Sequence, residues 1–103
     1  MHRLIDDRRT EIAILCRRYG VRRLEVFGSA ARGADFHPDS SDADFLVSFE
    51  PKSSLSALEQ FFGFSREMAR LLGRPVDLVE AGSVRNPFIR AEVDSARELV
   101  YAA

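Results

Sequence analysis

Two short segments, FGSAARG at residues 27–33 and SDADFLV at residues 41–47, indicate how this chain folds. The second segment belongs to a strictly alternating run that would place Asp42, Asp44, Leu46 and Ser48 on one face and Ala43, Phe45, Val47 and Phe49 on the other. A period of two predicts a β-strand, here from Asp42 to Phe49. The first segment follows a short β-like run, Leu24 to Phe27, which Gly28 and Ser29 end. The two segments therefore predict two strands joined by a loop.

The flanking sequence predicts helices and further strands around this pair. A helical stripe from Leu4 to Tyr19 ends at Gly20, and we expect its first turns to pack loosely because Arg8 and Arg9 interrupt it. The remaining predicted elements are a main helix over 54–72 with a Ser56/Glu59 capping box, a strand over 76–79, a helix over 86–95 and an edge strand over 98–101. This order predicts an α/β protein of the α+β kind, with a small mixed β-sheet and helices mainly on one face.

Length and composition fit one small domain spanning residues 1–103. The chain has 103 residues, of which 46% are hydrophobic and 30% are charged, as in ordinary folded proteins. Its 15 basic and 16 acidic side chains give a net charge of −1. Polynucleotide-binding proteins usually carry a clear excess of positive charge. We therefore expect no direct binding to DNA or RNA, and we favour a small phosphorylated substrate.

Cys16 is the only cysteine, which excludes an internal disulfide and is most simply explained by a reducing compartment. It lies in the first helical stripe, where we expect it to pack in the core. No apolar run approaches the ~20 residues of a membrane span. The first residues also lack the apolar region of a signal peptide. We therefore expect a cytoplasmic protein with no membrane association.

Three aspartates are the candidate metal ligands. Asp42 and Asp44 occupy positions i and i+2 of a strand, so their carboxylates project from one face with Cα atoms ~7 Å apart. Such charges repel each other unless a cation lies between them, and oxygen ligands favour Mg²⁺ or Mn²⁺. Asp77 lies among apolar residues of the third strand, where a buried carboxylate needs a partner. Three carboxylates can hold two metal ions ~3.5–4 Å apart.

Gly28 and Ser29 are the candidate phosphate-binding residues. A glycine lets backbone N–H groups approach an anion closely, and a short turn after it can form an anion-binding nest. Arg32 follows within reach of a phosphate oxygen. Each feature is weak alone, and their order along the chain gives the signal its specificity.

Each feature also has a plainer explanation. Asp42 and Asp44 would then lie on a solvated strand face that binds no ligand. Asp77 would be an edge-strand carboxylate facing water, and Arg32 an ordinary surface residue.

The combined pattern of FGSAARG (27–33), SDADFLV (41–47) and PVDLV (75–79) resembles the defining motif of the polymerase-beta-like nucleotidyltransferase superfamily. More narrowly, it resembles the minimal nucleotidyltransferases, whose whole chain is about this long, and residues 86–103 are also similar to the end of such chains. The resemblance spans nearly everything after the first helix. It implies a nucleotidyltransferase fold like the palm of polymerase beta, and magnesium-dependent transfer of a nucleotide.

The resemblance also implies roles for individual residues. Asp42 and Asp44 would bind two Mg²⁺ ions, with Mn²⁺ as an alternative. Asp77 would complete one metal site and help to activate the attacking hydroxyl.

Gly28 and Ser29 would hold the triphosphate of the substrate ATP, with Arg32 on a phosphate. Ala30 stands where the family often has a larger or basic residue, which removes one phosphate contact.

A partner protein follows from the same resemblance. Minimal nucleotidyltransferases are commonly paired with a helical HEPN-domain toxin, and some transfer AMP from ATP to a tyrosine of that toxin and silence its ribonuclease activity. This favours a protein adenylyltransferase that acts as an antitoxin in a hetero-oligomer. Two alternatives stay open. One is a non-catalytic antitoxin that neutralises its partner by binding, and the other is a nucleotidyltransferase acting on a small molecule such as an aminoglycoside.

Overall fold

The computed structural model describes residues 2–28, 43–83 and 97–103, in which four strands form one mixed sheet. The strands are β1 (Val21–Phe27), β2 (Ala43–Phe49), β3 (Val76–Glu80) and β4 (Glu98–Ala102), in the spatial order β3-β2-β1-β4. Strand β1 is antiparallel to both β2 and β4, whereas β2 and β3 are parallel. The described helical elements are α1 (Arg3–Asp6), α2 (Arg9–Tyr19), a π-helical turn (Glu59–Gly63), α3 (Phe64–Leu72) and a short 3₁₀ turn (Ala81–Ser83). The predicted mixed sheet is confirmed, and the helix predicted over 86–95 lies outside the described residues.

The helices α2 and α3 pack on one face of the sheet, which we call the helix face. The alternation predicted for β2 is confirmed there, because Ala43, Phe45 and Val47 are fully buried in the main core. The helices contribute Ile12, Cys16, Phe64, Met68 and Leu72 to the same core. The opposite side of the sheet, which carries Asp44, is called the second face. It holds a smaller apolar cluster of Phe27 and Leu46, flanked by Val79 and Ala81.

The amino-terminal helical stripe differs from the prediction in one respect and matches it in another. The chain breaks after Asp6 into α1 and α2, yet Ile5 is fully buried. The expectation of loosely packed first turns was therefore wrong, because Ile5 anchors α1 in the core. Gly20 ends α2 in the left-handed conformation, with φ of 69°, as predicted.

Strand β1 and the main helical segment also depart from their predicted bounds. Strand β1 begins at Val21, three residues before the predicted Leu24. The segment predicted as one helix over 54–72 becomes helical after Ser56, whose Oγ accepts a hydrogen bond from the N–H of Glu59 at 3.1 Å. That half of the predicted capping box is confirmed. The π-helical turn that follows was not predicted.

The π-helical turn has a visible packing role. It directs the buried side chain of Gln60 toward the end of α2, where Nε2 donates a hydrogen bond to the carbonyl oxygen of Tyr19 at 3.1 Å. Over the same stretch, Gly63 packs directly against the Tyr19 ring. The turn therefore ties the main helical segment to α2.

None of the helices in the described part of the chain combines the length and the apolarity that crossing a bilayer would require.

Candidate active site

Asp44 lies on the second face of the sheet near the start of β2. Its neighbours in sequence, Ala43 and Phe45, point into the main core, so the pleat of the strand directs Asp44 the other way. The side chain is half-buried. On one side its register partner is Phe27 of β1, and on the other side it is Asp77 of β3. The carboxylate therefore occupies a defined position between two strands.

Asp77 is placed beside Asp44 by the parallel pairing of β2 and β3. Register partners in neighbouring strands lie about 4.8 Å apart, and Val76 and Leu78 point to the helix face, which leaves Asp77 on the second face. Asp77 is exposed, so the prediction of a buried carboxylate at this position was wrong. It is a carboxylate on an outer strand of the described sheet, as the plainer explanation required, and it also adjoins the first candidate ligand.

Gly28 is the third described residue of the candidate site, directly after β1. Its φ of 69° lies in the left-handed region, where a residue with a side chain is strained. A Cβ built on Gly28 would lie only 2.7 Å from Oδ2 of Asp44. The position therefore requires glycine for two independent reasons. Sequence reasoning assigned Gly28 to phosphate binding and missed its contact with Asp44, which depends on the pairing of β1 with β2.

Three predicted site residues, Ser29, Arg32 and Asp42, lie outside the described residues, and their roles stay predictions. Within the described ranges, no group of three or more His, Cys, Asp and Glu side chains could hold a metal ion. Because Asp42 is not among them, the predicted three-carboxylate site is not tested by that result.

The described residues nevertheless fit a divalent cation. Asp44 and Asp77 supply oxygen donors from adjacent strands, the ligand type that Mg²⁺ and Mn²⁺ prefer. Gly28 places no side chain in the space beside Oδ2 of Asp44. Two carboxylates this close repel each other, and a cation between them would relieve that repulsion.

Sequence reasoning also missed a charged cluster on the second face. Glu25 of β1 is 8% exposed and makes ion pairs with Arg23 at 3.1 Å and Arg97 at 3.4 Å. The available signal was a single carboxylate inside the apolar run Leu24 to Phe27. Its partner Arg97 lies 72 positions further along the chain (97 − 25), so the pairing depends on how β4 joins the sheet.

Cys16 is not a candidate nucleophile. It lies in the main core on the helix face, where burial raises the pKa of its thiol to about 12. The thiol therefore stays protonated at neutral pH, and the predicted core packing is confirmed.

Comparison with known proteins gives this geometry a context. Residues 9–100 match the family described as the nucleotidyltransferase domain. The chain belongs to that family. A curated relative, the protein adenylyltransferase MntA from Thermococcus cleftensis, is 37% identical over 84 residues, which are 82% of this chain and 77% of the relative.

Solved structures show the same fold. A structure assigned as a minimal nucleotidyltransferase is 32% identical, with a TM-score of 0.72 over 95% of both chains. A complex of a tri-AMPylated HEPN toxin from Shewanella oneidensis with an MNT antitoxin matches with a TM-score of 0.63, over 96% of this chain and 73% of that chain. At 18% identity the second likeness shows the fold alone. This nucleotidyltransferase thus has the family and the fold that its motifs predicted.

Proposed function

We propose that this nucleotidyltransferase transfers AMP from ATP to a tyrosine hydroxyl of a HEPN-type toxin and thereby acts as an antitoxin. The observation that carries the proposal is the pairing of Asp44 with Asp77 directly beside Gly28. The adenylyltransferase relative supports AMP as the transferred group. The toxin complex with an MNT antitoxin supports a HEPN partner. The cytoplasmic setting expected from the single cysteine is part of the same proposal.

Asp44, Asp77 and the predicted ligand Asp42 would hold the magnesium ions. When bound, these ions neutralise charge on the phosphates and make the attacking hydroxyl more acidic. Gly28 and Ser29 would present backbone N–H groups to the triphosphate, and Arg32 would donate to a phosphate oxygen.

In the transfer step, the acceptor oxygen forms a bond to the α-phosphorus of ATP while the bond to the bridging oxygen breaks and pyrophosphate leaves. Asp77 accepts the hydroxyl proton, because it is the exposed member of the carboxylate pair and an acceptor can reach it. Asp44 lies between Gly28 and Asp77, which would place it next to both the nucleotide and the acceptor. The products are an AMP-modified tyrosine and pyrophosphate.

The test is intact-mass spectrometry of this chain and the protein encoded beside its gene, after incubation with ATP and Mg²⁺. We expect the neighbour to gain one or more AMP masses, and we expect Asp44→Asn to abolish the gain while the circular dichroism spectrum stays unchanged. Incubation with GTP, CTP or UTP in place of ATP measures the base preference. Chelation of divalent ions before mixing should stop the reaction.

Three results would contradict the proposal. Wild-type turnover in a folded Asp44→Asn protein would show that Asp44 is not a required metal ligand. A tight complex with no mass gain on either protein, with any nucleotide, would identify a binding antitoxin that lacks the reaction. A mass gain confined to a small-molecule acceptor would support the second alternative, a nucleotidyltransferase that acts on a small molecule.

A further inference from the structure

The second face carries a charged cluster that the proposed reaction does not use. Glu25 has a side chain that is only 11% exposed, and each of its two carboxylate oxygens forms an ion pair with a different arginine. Nε of Arg23 lies 3.1 Å from Oε1, and Nε of Arg97 lies 3.4 Å from Oε2. The cluster therefore brings two guanidinium groups to a single carboxylate.

The strand pairing locates this cluster relative to Asp44. Leu24 and Val26 are buried in the main core, so Glu25 between them points to the second face. Its register partner in β2 is Leu46, two residues after Asp44. Diagonal neighbours of this kind have Cα atoms roughly 7–8 Å apart. A long arginine side chain beside Glu25 can span that distance.

The two arginines lie at opposite ends of Glu25 along the strand direction. Strand β4 begins at Glu98 opposite Val26, so Arg97 joins the sheet at the end where β1 runs into Gly28. Arg23 pairs instead with Ser48 of β2, four residues beyond Asp44. Only Arg97 therefore lies at the end of the sheet that holds the candidate site.

The charges flanking Asp44 are accordingly opposite in sign. The β3 side carries the Asp77 carboxylate, and the side of β1 and β4 carries the Arg97 guanidinium group. A triphosphate is repelled by the first and attracted by the second. Guanidinium groups bind phosphate oxygens through a planar fork of N–H donors. The Arg97 side chain is 38% exposed and is therefore accessible to a ligand.

We propose that Arg97 contacts the triphosphate of the bound nucleotide and that Glu25 is the positioning residue that orients Arg97. This inference rests on the nucleotide site of the proposed function. It adds a phosphate-binding residue from the carboxyl-terminal part of the chain to the Gly28 end of the sheet. It also gives the buried carboxylate on the second face a role beyond joining two strands.

The test compares Arg97→Gln with Arg23→Gln, because each variant removes one of the two ion pairs of Glu25. Binding of ATP with Mg²⁺ is measured by calorimetry, which needs no acceptor. We expect Arg97→Gln to raise the Kd for ATP about tenfold, as loss of one charged hydrogen bond does, and Arg23→Gln to change it less than about twofold. Arg97→Lys should recover part of the affinity because it keeps the charge. Equal effects of Arg97→Gln and Arg23→Gln would overturn the inference in favour of a structural ion pair.

Glu25→Gln tests the positioning role by the sign of its effect. Removing a negative charge close to a phosphate site strengthens anion binding if charge alone acts. If Glu25 orients Arg97, the same substitution weakens ATP binding, which is the result we expect. Stronger binding in Glu25→Gln would contradict the positioning role. A wild-type chain that binds ATP but modifies no partner would contradict the proposed function, while the ratio of Kd values for the arginine variants would still decide this inference.

Discussion

Both the backbone conformation and the packing at position 28 require glycine. Its positive φ strains any residue with a side chain, by about 1–2 kcal/mol. Its Cα also faces Oδ2 of Asp44 at a distance that leaves no room for a methyl group. Gly73, at the end of α3, shares the backbone requirement with a φ of 68°, but a methyl group added there would meet no neighbouring atom within 4 Å. Comparing Gly28 with Gly73 therefore distinguishes the effect of backbone strain from the effect of contact with Asp44.

We predict that Gly28→Ala and Gly73→Ala lose similar stability but differ in activity. Both should lower the free energy of unfolding by about 1 kcal/mol, measured by urea denaturation. Only Gly28→Ala should reduce nucleotide transfer, by at least about tenfold, because its methyl group displaces the Asp44 carboxylate. Equal activity of the two variants would show that this contact does not matter for the reaction.

Asp77 offers a second matched comparison on a single strand. It lies on the second face beside Asp44, whereas Glu80 alternates to the helix face of β3 with Val76 and Leu78. We expect Asp77→Asn to slow transfer by at least about 100-fold, as loss of a general base does. Glu80→Gln should leave the rate within about twofold. In the absence of divalent ions, Asp77→Asn should not lower the melting temperature, since it removes one of two neighbouring like charges. A similar loss of rate in both variants would contradict the assignment of Asp77.

At the scale of elements, the sequence was most informative where a local signal acts alone. The alternation of β2 predicted its two faces, and Gly20 predicted the end of α2. The start of β1 was missed because Arg22 and Arg23 break its apolar pattern, although both fit a strand whose polar side chains remain exposed. The π-helical turn was missed because apolar spacing does not distinguish it from an α-helical turn.

Gly63 shows why a propensity argument fails at that turn. Alanine is favoured over glycine in a helix by up to ~1 kcal/mol, yet a Cβ on Gly63 would lie 2.6 Å from Cε1 of Tyr19. The Tyr19 ring packs edge-on against Phe64 at 6.2 Å between centroids, which limits how far it can yield. We predict that Gly63→Ala destabilises the protein by about 1–2 kcal/mol, within the cost of overpacking a core.

A double-mutant cycle with Tyr19→Leu isolates the contact of Gly63 with Tyr19. In the leucine background the alanine no longer meets the ring, so Gly63→Ala should cost less or become stabilising. Thermal or urea unfolding of the four proteins gives the coupling free energy. Additive effects would show that the glycine is required for another reason.

At the scale of the whole molecule, the main core and the candidate active site lie on opposite faces of the sheet. The helix face holds the main core, including Cys16, Phe45 and Phe64. The second face holds Asp44 and Asp77, and the helices α2 and α3 pack on the other side of the sheet. The sequence could predict the candidate residues from their types and order. It also predicted that Asp77 shares a metal site with Asp42 and Asp44, but it did not give the register that pairs Asp77 with Asp44, because that pairing joins residues 33 positions apart (77 − 44) through two parallel strands.

The main core also gives the molecule a defined response to alkaline pH through Cys16. Burial raises the pKa of its thiol from 9.0 to about 12 in the folded protein. Well below pH 9 the thiol is protonated in both states, so it has no effect on the pH dependence of stability. Between pH 9 and about 12 the unfolded chain loses this proton while the folded chain keeps it. Loss of the proton stabilises the unfolded state relative to the folded state. The free energy of unfolding therefore falls with rising pH, by up to about 1.4 kcal/mol per pH unit.

We predict that this decline is absent in Cys16→Ala, where no thiol titrates. Urea denaturation of both proteins from pH 8 to pH 11 measures the difference in slope. All other titratable groups are the same in both proteins, so their contributions cancel in the comparison. The small cavity left by alanine lowers stability by a constant amount at every pH, which shifts the curve without changing its slope. Parallel curves above pH 9 would mean that the Cys16 thiol ionises as readily in the folded protein as in the unfolded chain, and that the core admits enough water to solvate a thiolate.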